Sequence, residues 1–166
     1  DIEKALQIAS AQYDVIITSA GVSAGEEDHV REAAVSLGSL YFWRLAIRPG
    51  RPLAFGQIRK TPFIGLPGNP AAGIVTFMQF ARPALLLLSG AKNTQPLCFQ
   101  VPAQFSYRKK AGRREWIGVS LKINKQGVSE AHKLSKNGAS ILSSLGVSDG
   151  LIDLPENLTE IEPGTI

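Results

Sequence analysis

The chain has 166 residues, 44% hydrophobic and 19% charged, with a formal charge of +4. That balance excludes a disordered or fibrous protein and leaves one ordinary domain or two small ones with a buried core. One cysteine, Cys98, excludes an internal disulfide and makes a reducing compartment the default, and two histidines, His29 and His132, are too few for a Cys/His metal set. Cys98, beside Phe99, reads as a small core residue. Only Arg108-Lys109-Lys110 with Arg113-Arg114 forms a basic cluster, which reads as an exposed hairpin tip, so no nucleic-acid partner is expected. The longest apolar stretches, broken by Gln79 and Arg82, fall short of the ~20 residues that span a bilayer, so no membrane partner is expected.

Ile2, Ala5, Leu6 and Ala9 recur at helical spacing and predict a helix over about 2–11. Asp14 to Thr18 is a β-branched run that predicts a strand buried on both faces. A glycine-rich turn, Ser19 to Gly25, follows, and then Val30, Ala33, Ala34 and Leu37 mark a helix capped by Gly38. Leu40 to Ile47 predicts a second strand, Arg48 to Pro52 a turn, and Leu53–Ile58 and Pro62–Leu66 two further strands. A second turn, Gly65 to Pro70, leads into a long helix over about 71–89, which Pro83 must kink or restart.

This alternation predicts an α/β layered sheet over residues 1–90, with both turns at strand ends, where ligands of such sheets sit. After Gly90 the pattern changes. Short strand-like runs (97–105, 115–123, 128–131, 141–142 and 150–154) without a convincing helix predict a small all-β barrel or sandwich over 91–166.

Three constellations carry chemistry. The turn Ser19-Ala20-Gly21-Val22-Ser23-Ala24-Gly25 precedes Glu26, Glu27 and Asp28. Those acids either match the dipole of the helix they open or let Mg²⁺ bridge a carboxylate, Asp28 above all, to a phosphate. Arg44 and Arg48, four apart in one predicted strand, would share an otherwise apolar face and call for an acidic partner or an oxyanion, with Arg51 able to join them. In Gly65-Leu66-Pro67-Gly68-Asn69-Pro70, Asn69 suits an N-cap, Pro70 a first helical turn, and Gly68 a backbone conformation closed to other residues. Two glycines and two prolines in six residues specify a rigid loop of the kind that binding requires.

These strings, with Phe42-Trp43-Arg44-Leu45-Ala46-Ile47-Arg48-Pro49-Gly50-Arg51-Pro52 between them, resemble the molybdopterin molybdenumtransferase family, the MoeA type related to the gephyrin E domain. The resemblance implies a three-layer molybdopterin-binding domain followed by a small β domain. It implies an enzyme that inserts molybdenum from molybdate into adenylylated molybdopterin, releases AMP and uses Mg²⁺, in the cytoplasm and as a homodimer when full length. By position, Asp28 matches the family's functional aspartate, catalytic and metal-binding. Arg44 and Arg48 stand where lysines usually handle the oxyanion, and arginine brings a planar fork in place of a point charge. Ser19, Gly21, Ser23, Gly25, Gly65, Pro67, Gly68, Asn69 and Pro70 match the cofactor-binding loops. Arg51 is assigned to the same site, Arg113 resembles an arginine that the C-terminal domain contributes, and Ser135 to Ser140 resembles a serine- and glycine-rich turn. Ala20 replaces a common glycine. Against the family pattern, the chain begins some tens of residues into the domain, after its first strand and the dimerisation region. A non-catalytic scaffold on the same fold is the alternative reading, and a generic nucleotide-binding domain a weaker third.

Overall fold

The structure is a computed structural model that describes residues 1–21, 29–134 and 141–166. They divide into two compact units, Asp1–Leu45 with Pro49–Gln95, and Ala46–Arg48 with Pro96–Ile166.

In the first unit, helices α1 (Ile2–Gln12) and α2 (His29–Leu37) accompany a sheet of β1 (Ile16–Ser19), β2 (Gly38–Arg44), β4 (Pro52–Ile58) and β5 (Thr61–Leu66), in the order β1-β5-β4-β2. The β1–β5 pair is parallel and the other two are antiparallel. Side chains alternate across β4 and β5, which separates two apolar layers. Ala54, Ile58 and Phe63 pack with Leu6, Ile16, Ala33 and Ala34 beneath α1 and α2. Leu53, Ile64 and Leu66 pack with Phe80, Ala81 and Ala84 of the helical run beyond β5. The mixed α/β character expected of this stretch is what the unit shows.

That run comprises α3 (Pro70–Thr76), a π-helical turn (Phe77–Ala81) and α4 (Arg82–Leu88). Pro83 has no N–H to give to the preceding turn, so the ladder widens before it and a new helix starts with Pro83 in its first turn. By length and composition the run is apolar enough to cross a membrane. Val75, Thr76 and Ala81 are fully buried within the unit, whereas Ile74, Phe77, Met78, Leu87 and Leu88 are exposed.

Four expectations fail here, each for a physical reason. β1 is an edge strand, so Ile16 is buried but Ile17 is exposed, where burial on both faces was expected. The strand predicted over 40–47 ends at Arg44, and Ile47–Arg48 forms a separate strand, β3, in the other unit. Gly38 is no left-handed cap: it joins α2 directly to β2, where a Cβ would lie 1.9 Å from the Gln57 carbonyl oxygen. Cys98 is exposed.

The second unit is built on β7 (Arg114–Ile123). Antiparallel β9 (Gly150–Leu154) runs along residues 115–119 of it, and β8 (Ser129–Lys133) along residues 119–123. Parallel β3 pairs with residues 114–115. A strand has two edges, so β3 and β8 share one and β9 takes the other. A separate two-stranded sheet joins β6 (Tyr107–Arg108) to β10 (Glu160–Ile161). The described strands thus form two sheets, where a barrel or sandwich was expected. Residues 97–105 contribute an isolated bridge at Ala103 in place of a strand, and Ile141–Gly146 is a short helix, α5.

Candidate functional site

The two glycine turns lie side by side. Parallel pairing sets Thr18 against Gly65 and Ser19 against Leu66, and beyond it the Ala20 amide donates to the Leu66 carbonyl at 3.0 Å. Ala20 and Gly21 both occupy the left-handed region, at φ 83 and 74. Two successive left-handed residues thus stand at the C-terminal end of β1, beside the end of β5. Gly65 lies within β5, so the second turn proper is Pro67–Asn69. Gly68 is not in the left-handed region. It is required by proximity, since a Cβ there would meet the Ala20 Cβ at 3.0 Å.

Asn69 and Pro70 take their expected places. The Asn69 carboxamide oxygen accepts the Ala72 amide at 3.1 Å, its carbonyl accepts the Gly73 amide at 2.8 Å, and Pro70 opens α3. Asn69 thus occupies two donors of the first turn of α3. The loop is self-capped, and the space beside Gly21 and Gly68 is taken by Val30 and Ala20. Ser19 is exposed. Ser23, Gly25 and Asp28 lie outside the described residues, as does the serine-rich turn 135–140.

The arginines are redistributed. Arg44, exposed at the end of β2, sits opposite Pro52, and the adjacent Arg51 carbonyl accepts the Leu45 amide at 3.0 Å. Two register shifts in β2 and the change of sheet at β3 break the alternation that was to place Arg44 and Arg48 on one face. Arg48 instead joins Arg113, and what unites them is Glu115.

Glu115 sits in register beside Arg48 and is almost fully buried. Its Oε1 accepts from Arg113 Nε at 2.6 Å, its Oε2 accepts from the Tyr107 hydroxyl at 2.8 Å, and Arg48 Nη1 lies 3.8 Å from Oε2. The Lys133 ammonium lies over the Tyr107 ring at 4.6 Å, and Lys109 donates to the Arg113 carbonyl at 2.5 Å. Burial, then the hydrogen bond to Glu115, pushes the Tyr107 phenol up from its ordinary 10.0, so it remains a protonated donor at neutral pH. Two guanidinium groups against one carboxylate leave a positive charge uncompensated, which suits an oxyanion.

The sequence reading passed over Tyr107 and Glu115. The available signal was a lone glutamate flanked by Arg113-Arg114 and Trp116-Ile117, at the start of a strand with an apolar side. Among the described residues, no three His, Cys, Asp or Glu side chains gather as a metal site.

Comparison with known proteins agrees with this anatomy. A family model described as "Probable molybdopterin binding domain" matches residues 1–86, and one described as "MoeA C-terminal region (domain IV)" matches residues 100–166. The chain belongs to the MoeA family. Among curated MoeA-type relatives, the molybdopterin molybdenumtransferase of Haemophilus influenzae is 35% identical over 165 residues, covering 99% of this chain and 41% of the relative. That of Nostoc is 35% identical over 162 residues, covering 94% and 37%. A solved molybdopterin biosynthesis MoeA protein of Pyrococcus horikoshii superposes with a TM-score of 0.75 at 24% identity, over 98% of this chain and 38% of that one, a likeness of fold. The chain therefore spans about two fifths of the length of these relatives. A place in molybdenum cofactor biosynthesis follows from the family.

Proposed function

We propose that this chain supplies part of the site at which molybdate is inserted into adenylylated molybdopterin with release of AMP. The observation that carries the reading is the adjacency of the two turns at the C-terminal ends of parallel β1 and β5. Ligands of such sheets sit at the C-terminal ends of the strands, and in this reading a pterin and its pyrophosphate lie there. In this reading Arg48 and Arg113 attract molybdate, the substrate oxyanion, and preorganised charge supplies most of the rate enhancement. Arg44 and Arg51, at the paired ends of β2 and β4, handle the phosphates. Two Mo–S bonds form as the dithiol protons leave with one molybdate oxygen as water, and a water attacks the adenylyl phosphorus, so that the pyrophosphate bond breaks, AMP leaves and the pterin keeps its phosphate. Asp28 would hold a Mg²⁺ ion, which would offset the charge of the pyrophosphate. Among the described residues no three His, Cys, Asp or Glu side chains gather as a metal site. The working protein would be a cytoplasmic homodimer, as the family resemblance implies.

Titration of the isotope-labelled full-length protein with AMP tests the turns. The expected result is amide shift changes concentrated at 19–21 and 66–69. Changes confined to other segments would remove the turns from the ligand site.

A further inference from the structure

The Glu115 cluster holds more order than an ion pair needs. Both carboxylate oxygens are engaged, one by Arg113 and the other by Tyr107 with Arg48 beside it. A buried carboxylate is expensive to desolvate, and Tyr107 with Arg113 alone would satisfy its hydrogen bonding. The second guanidinium adds charge that the cluster does not need for its own neutrality. Arg113 is also fixed twice, by Lys109 at its carbonyl and by Glu115 at Nε. Because Nε is spent on Glu115, the guanidinium is pinned by its inner edge, while the Arg113 side chain remains 31% exposed and that of Arg48 59%. The anchor is buried and the cationic heads reach solvent.

We propose that Glu115, held by Tyr107, is a positioning residue that fixes the Arg113 and Arg48 guanidinium groups in the orientation that receives a tetrahedral oxyanion. The proposal rests on the oxyanion reading above and adds to it the group that aims the arginines. Glu115 does not touch the ligand: it acts through the two arginines. β3, β6 and β7 supply Arg48, Tyr107 and Glu115, Arg113 immediately precedes β7, and the register of Arg48 against Glu115 sets their spacing.

The test is equilibrium dialysis of molybdate against the full-length protein carrying Glu115→Gln, Tyr107→Phe, Arg113→Ala, or Glu115→Gln with Arg113→Ala, with thermal midpoints recorded in parallel. Glutamine keeps the size and one acceptor but loses the charge that grips the guanidinium. Losing a charge-assisted hydrogen bond should raise the molybdate Kd about tenfold in Glu115→Gln and about threefold in Tyr107→Phe. Glu115→Gln should add nothing further once Arg113 is alanine.

A group that merely offsets positive charge behaves oppositely, so tighter molybdate binding in Glu115→Gln would overturn the proposal. A lowered thermal midpoint with unchanged Kd in both Glu115→Gln and Tyr107→Phe would also overturn it, as a structural role alone. If Arg113→Ala binds molybdate like the unaltered protein, the oxyanion reading falls and takes the proposal with it. If Arg113→Ala loses binding while Glu115→Gln keeps it, only the role of Glu115 falls.

Discussion

Gly21→Ala is expected to destabilise the first unit by about 3 kcal/mol, from two additive sources. The residue sits at φ 74, where a side chain costs roughly 1–2 kcal/mol. A Cβ there would also lie 2.3 Å from Val30 Cγ2 and 2.7 Å from its Cβ, so no rotamer of Val30 relieves the contact and α2 itself must move. Denaturant unfolding of wild type and variant measures the difference. Ala20, at φ 83, carries the same backbone cost without that collision, so Ala20→Gly should move stability the other way, by up to about 1 kcal/mol. Equal stability of wild type and Gly21→Ala would mean that the turn does not take this path.

Gly38→Ala should cost a similar amount, about 3 kcal/mol, through crowding alone. Its φ is ordinary, but a Cβ would stand 1.9 Å from the Gln57 carbonyl oxygen and 2.9 Å from the Ile58 Cα. Those atoms are backbone of β4, the central partner of both β2 and β5, and cannot yield without parting the β2–β4 pair. Further along the same pair of strands, Gly56, set against Leu40, is also confined: a Cβ there would lie 2.3 Å from the Ser39 carbonyl oxygen. Gly38 lets the helix α2 pass into β2 with no connecting residue. Amide hydrogen exchange should show protection lost first along 38–44 and 52–58. Loss confined to α2 would favour the helix-cap role instead.

Local chemistry was legible in the sequence where it depends on neighbours along the chain. Asn69 as N-cap, Pro70 at the start of α3 and Pro83 restarting a helix each follow from one residue and its backbone. The layered α/β character of the first unit was legible from the periods of its apolar residues. What failed depends on long-range pairing. That β1 is an edge, that Gly38 and Gly68 are demanded by another strand or turn, and that Arg48 leaves the sheet of Arg44 are facts about partners far away in sequence. Of the predicted site residues, the described members of the two turns come together, as do Arg48 and Arg113, and Arg44 stays with Arg51. Glu115 escaped notice because its importance lies in whom it meets: an arginine 67 residues earlier, another two residues earlier, and a tyrosine eight residues earlier.

The role proposed for the arginines gathered on Glu115 is to handle molybdate in a reaction that releases AMP. The most direct measurement is AMP release from adenylylated molybdopterin against molybdate concentration, with the full-length protein carrying Arg48→Ala and Arg113→Ala together. Molybdate dependence should shift to concentrations about a hundredfold higher, as expected for two lost charge-assisted contacts. Saturation at the same molybdate concentration as the unaltered protein would contradict it.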